Sequence, residues 1–99
     1  MIPKGGEITA NVRTTPFGYL KAAVLDEETF EPLPNYTLQD SVPVTGDELF
    51  GKVRWRNREN LDELKDRPVI LELHVRDAEL YALRFAYQVA FGPGGQERL

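Results

Sequence analysis

The side chains able to do chemistry in this chain are loop carboxylates, one histidine and one serine. Asp26, Glu27 and Glu28 form one acidic group; Asp40, Asp47 and Glu48 form another. Two carboxylates about 5 to 10 Å apart suit glycoside hydrolysis, one as acid and the other as nucleophile or base. Loop oxygens of this kind are also what calcium takes, so calcium is the metal the composition leaves open. Zinc wants three or four nitrogen, sulfur or carboxylate ligands, and His74 is the only histidine in a chain without cysteine. Ser41 is the only serine, and no GxSxG frames it for a Ser-His-Asp triad. There is no P-loop, and Gly92-Pro93-Gly94-Gly95 does not open a helix. None of these makes a complete chemical site, and an independent enzyme using the loop carboxylates Asp40 and Asp47 is the third reading the residues leave.

Binding chemistry is better represented. The stretch GKVRWRNREN, residues 51 to 60, holds the single tryptophan among basic residues. Read as a strand, it puts Val53 and Trp55 on one face and Lys52, Arg54, Arg56 and Arg58 on the other. Trp55 then belongs to the core, and the basic row is a wet face paired with acids, Glu72 and Glu79 being the expected partners. If the row binds a ligand, Arg54 and Arg56 would meet an anionic glycan or an acidic protein. For carbohydrate the useful feature is an exposed aromatic beside hydrogen-bonding groups, and Tyr19, Phe30 and Tyr36 are the candidates.

Composition narrows the classes. A chain of 99 residues makes one domain, 1–99, and a chain of that size buries roughly two thirds of its unfolded surface. Hydrophobic residues at 41% supply a core, and charged residues at 28% a soluble surface. A net charge of −4 repels a phosphate backbone, so nucleic acid is excluded as a partner. Without cysteine there is no disulfide, and packing alone must hold the fold. No apolar run approaches the roughly 20 residues that span a bilayer, and MIPKGGEITANV lacks the apolar segment of a signal peptide. A soluble chain without a membrane partner is expected, in an unspecified compartment. Asn35-Tyr36-Thr37 fits a glycosylation acceptor, but nothing else supports the secretory route it needs.

The elements that must position these residues alternate with period two. In EITANVRT, Ile8, Ala10 and Val12 share one face; in YLKAAVL, opened by Gly18, Leu20, Ala22 and Val24 do. Residues 32–47 carry too many prolines and turn residues for a long element, so short edge strands are expected there. Asn60 can cap one or two helical turns over NLDELKD, pinned by Leu61 and Leu64, with Pro68 beyond the end. Val69, Leu71, Leu73 and Val75 alternate inward, as do Tyr81, Leu83, Phe85, Tyr87, Val89 and Phe91, in two strands joined by a turn near Asp77-Ala78. The polar tail, about 92–99, is expected to fray. The pattern predicts an all-β fold: an antiparallel β-sandwich of jelly-roll type with at most one short helix.

An ordered string of short motifs carries a resemblance. It runs Gly18-Tyr19-Leu20, Val24-Leu25-Asp26, Pro34-Asn35-Tyr36, Asp40-Ser41, Gly46-Asp47, Val53-Arg54-Trp55, Leu61 with Leu64, Asp66-Arg67-Pro68-Val69 and residues 76–85, RDAELYALRF. Over residues 18 to 86 the chain resembles the C-terminal β-sandwich domain appended to bacterial glycosidase-like proteins, which follows a β-propeller of the invertase and sialidase kind. Such domains tend to have glycine where this chain has Asn35 and Asp66, the residue types next most tolerant of left-handed backbone. No propeller is present, so no catalytic residue carries over. The resemblance implies an accessory module that packs on an upstream catalytic domain, binds carbohydrate, or both. The alternative is a protein interaction or homo-oligomerisation module using a sheet face or edge.

Overall fold

The computed structural model describes residues 1–88. Its strands are β1 (Ile2–Pro3), β2 (Ile8–Asp26), β3 (Ser41–Val42), β4 (Asp47–Trp55), β5 (Val69–Arg84) and β6 (Tyr87–Gln88). The described residues contain one helical turn, a 3-10 turn over Asp62–Leu64. The order β3-β4-β2-β5 makes one antiparallel sheet, and β1 pairs with β6 in a short ribbon. The fold is all-β.

Period two does what the sequence predicts along β2. Ile8, Ala10, Val12, Leu20, Ala22 and Val24 are fully buried, and they meet Val53, Trp55 and Val69 from the neighbouring strands. Irregular segments close over this apolar face, contributing Leu33, Tyr36, Val44, Leu61 and Leu64. Trp55 is central. Its ring meets Tyr36 edge to face at 5.0 Å, and its indole N–H donates to the Ala22 carbonyl at 2.9 Å. The helical turn forms where expected: Asn60 Oδ1 accepts from the Asp62 N–H at 3.0 Å, while Leu61 and Leu64 go into the core.

Three expectations need correction. First, residues 8–26 form one strand rather than two, and so do residues 69–84, where a turn is predicted near Asp77-Ala78. Thr14 pairs with Ala78 and Tyr19 with Arg76, so the four residues 15–18 lie opposite Asp77 alone. A bulge absorbs this excess, and the ladder resumes beyond it. The bulge needs Gly18, because a Cβ there would stand 2.2 Å from the Asp77 carbonyl oxygen. Asp77 supplies the bend with φ of 46°. The polar Asp77 read as a hairpin tip is the elbow of a continuous ribbon.

Second, Tyr81 does not share a face with Leu83 and Phe85. Asn11 pairs with Ala82 and Val12 with Leu80, so Tyr81 bulges out and the alternation changes phase across it. Ala78, Leu80, Leu83 and Phe85 all pack on the core while Tyr81 is left exposed. Third, Glu72 and Glu79 cannot pair with the basic row of β4, because β2 lies between β4 and β5. Glu72 bonds His74, and Glu79 accepts from the Tyr81 hydroxyl. The expectations for Val89, Phe91 and the tail at 92–99 fall outside the described residues.

Candidate functional site

The five candidate ligand contacts are scattered. Phe30 is exposed on the loop after β2, in left-handed backbone with φ of 61°. Tyr19 is half-buried on the outer face of β2, its ring 5.0 Å from the Lys21 ammonium. Arg54 projects from β4 towards Glu59, 3.5 Å away. Arg56 lies beyond the end of β4, in a turn held by its own N–H to the Asp40 carbonyl and by the pairing of Trp55 with Arg58. It is exposed, and among the described residues no carboxylate pairs with it.

Tyr36 is a correction. The sequence groups it with the exposed loop aromatics, yet only 2% of it is accessible and its ring offers no stacking face. The loop carries it inward because Asn35 takes φ of 73°, turning the chain so that Tyr36 lies against Trp55. Only its hydroxyl reaches the surface chemistry, donating to Glu63 Oε2 at 3.4 Å. Burial first, and then the Glu63 charge, push the phenol above its ordinary range.

The basic row is neutralised locally except at Arg56. Lys52 bridges Glu7 at 3.2 Å and Glu59 at 2.9 Å, and Arg58 pairs with Glu63. The bond from Lys52 holds the Glu59 carboxyl below its usual range, and Arg58 does the same for Glu63. The paired face is as predicted, but its acids come from the segment after β4 and from the residue before β2. Such exposed pairs contribute only about 0 to 1 kcal/mol each.

A polar cleft lies at the end of the sheet where β2 leaves and β5 enters. One hollow is lined by Asp26, Glu27, Glu28, Arg67 and Pro68; the other by residues 33–36 with Glu63, Leu64 and Arg67. Arg67 belongs to both. Asp26 builds the first wall: its Oδ1 accepts from the N–H groups of Glu28 at 2.8 Å and Thr29 at 3.1 Å, and its Oδ2 receives Arg67 at 3.2 Å. Those backbone donors, more than Arg67, keep its carboxyl below the usual range. The same turn sets Phe30, whose N–H donates to the Asp26 carbonyl at 2.9 Å. The hollows offer planar guanidinium and carboxylate groups and a phenol hydroxyl, which can hydrogen-bond a hydroxyl-bearing ligand; Phe30 stands on the neighbouring turn and lines neither hollow. Sequence reasoning missed Arg67 as a contact. The only signal was the acidic loop at Asp26, which favours a cation nearby without specifying which one.

Other candidates resolve into structure. Ser41 is buried, and its Oγ accepts the Ala22 N–H at 3.0 Å. Asp40 bonds the Thr37 hydroxyl at 2.8 Å. Among the described residues no group of three or more His, Asp or Glu is placed to hold a metal ion. None of their helices is long and apolar enough to cross a membrane. Also unforeseen is an exposed apolar set, Phe17, Leu49, Phe50 and Tyr81, each at or beside a register shift. The Arg84 guanidinium lies 5.2 Å from the Phe50 ring centroid.

Comparison of the chain with protein-family models, curated proteins and solved structures finds no match.

Proposed function

We propose that this chain is a non-catalytic accessory module of a glycosidase-like protein, a sandwich of jelly-roll type that contributes weak carbohydrate binding through the cleft around Arg67. The observation that carries the module reading is backbone shape at Asn35 and Asp66. The resembling domains favour glycine at both positions, and here both adopt left-handed φ, 73° and 65°. Non-glycine residues in that region are uncommon, so finding both where glycine is expected supports the resemblance independently of side-chain identity.

The sandwich reading draws on β2. Its first half pairs with β4 and its second with the segment around Pro32 and Val44, on either side of the bulge at residues 15–18. A strand that changes partners at a bend is how sandwiches pass a chain from one layer to the other.

Titration calorimetry against a panel of neutral and anionic oligosaccharides tests the binding half. Millimolar affinity is expected for at least one glycan, with loss on Phe30→Ala or Arg67→Ala while the circular dichroism spectrum is unchanged. No heat from any sugar, or binding indifferent to both substitutions, sinks the cleft as the site.

A further inference from the structure

Among the described residues the longest outer strand boundary is that of β5, and its backbone polarity can be read rung by rung. On β2, the N–H groups of Leu20, Ala22, Val24 and Asp26 turn away from β5 to meet Val44, Ser41 Oγ, Tyr36 and Glu31. The intervening Tyr19, Lys21, Ala23 and Leu25 therefore make the bonds to β5, at Arg76, His74, Glu72 and Ile70. It follows that Val69, Leu71, Leu73 and Val75 point their N–H and C=O groups outward. Val69 is satisfied: it exchanges two bonds with Met1, at 2.8 and 2.9 Å. Leu71, Leu73 and Val75 have no backbone partner on that side among the described residues.

The side chains of those three residues are on the core face, opposite Val24, Ala22 and Leu20. Their cover is incomplete. Val69 is fully buried, Leu71 and Leu73 only partly, and Val75 is 44% accessible. Among the described residues, an unpaired ladder edge and an open flank of the core thus coincide over residues 71–75. Edges of this kind are templates for another strand, and natural monomers blunt them with charge, proline or a bulge. No proline or bulge interrupts residues 71–75, and Glu72, their one carboxylate, lies on the face opposite the core. It is bounded by Met1 at one end and by the bend at Asp77 at the other.

We infer that this edge pairs with the same edge of a second copy of the chain, antiparallel about a two-fold axis through Leu73. The register follows from the residues. Outward-bonding residues must face one another, which sets Leu73 against the partner's Leu73 and Leu71 against the partner's Val75. All of these lie on the core face, so the two open flanks close on each other. On the outer face the same register sets Glu72, which contacts His74 of its own chain, against the partner's His74 as well, so the carboxylate–imidazole contact extends across the axis and is repeated by symmetry. A one-residue slip would put outward-bonding residues against inward-bonding ones and lose the ladder. The sheet then continues from one protomer into the other. This goes beyond the accessory-module reading and does not depend on glycan binding.

The test is sedimentation equilibrium of residues 1–99 from micromolar to millimolar concentration, with amide hydrogen exchange measured in parallel. A monomer–dimer equilibrium is expected, with protection of the Leu71, Leu73 and Val75 amides rising with concentration. Val75→Lys introduces an ammonium on the side chain most exposed before pairing and should abolish the dimer while the monomer remains folded. His74→Glu places carboxylates face to face and should weaken the dimer roughly tenfold; adding Glu72→Lys should restore it. A strict monomer throughout overturns the inference. So does a dimer indifferent to Val75→Lys, or to the charge exchange. Concentration-independent protection of the three amides that disappears on removing residues 89–99 assigns the edge to the chain's own tail, and likewise overturns it.

Discussion

Trp55 ties two strands together by two kinds of contact. Its ring fills the space against Tyr36, and its indole N–H satisfies the Ala22 carbonyl across the core. Trp55→Phe keeps much of the apolar surface but leaves a cavity and an unpaired buried carbonyl, so a loss of about 2 to 4 kcal/mol is expected. Urea denaturation followed by circular dichroism measures it. A loss under about 1 kcal/mol would mean that water or backbone movement replaces the bond. Alternation identified Trp55 as core, because its strand alternates regularly from Gly51 to that residue. Tyr36 was illegible for the opposite reason: it lies in no strand, and a single left-handed residue ahead of it decides whether the ring faces in or out. Asn35 signals that conformation only as a preference.

At the scale of elements the governing device is the elbow shared by β2 and β5. Gly18→Ala forces a Cβ against the backbone of Asp77, which cannot give way as a flexible side chain would. Thermal unfolding should register a loss of at least about 1 to 3 kcal/mol, the range for overpacking a well-filled site. An unchanged melting temperature would show that the two strands are not in contact there. The same elbow explains which part of the fold could be read in advance. Each half of each long strand was legible, since period two holds within it. Their continuity was not, because a bulge and a hairpin tip share the same turn-forming residues, here Gly18 and Asp77, and differ only in whether the ladder resumes. Tyr81 is the smaller case: one extra residue reverses the alternation, and Leu80 and Leu83 end on the same side. The cleft was half legible. The acidic loop was visible, whereas Arg67 comes from a segment 41 residues away.

For the molecule as a whole, charge is organised as local pairs around the polar end of the sheet and along β4. The folded chain holds the carboxyls of Asp26, Glu59 and Glu63 below their ordinary values of 3.8, 4.5 and 4.5. The unfolded chain therefore takes up protons first as pH falls. The stabilisation from these groups is complete above the ordinary values and is lost as pH drops through them towards the folded ones. The urea midpoint should be level from about pH 7 to about pH 5 and fall below about pH 4.5, with a shallower fall in Asp26→Asn. A midpoint that declines identically in the variant removes Asp26 from the account. The groups are exposed, so added salt should lessen the effect of the Glu59 and Glu63 pairs.

The bonds between Met1 and Val69 bear on how the protein is handled at the bench. They align Met1 antiparallel to β5. Any residues fused ahead of it would be directed along Leu71, Leu73 and Val75. Any segment entering at that end, an affinity tag included, is thus a ready-made competitor for the strand edge, able to solubilise the protein while concealing its own assembly.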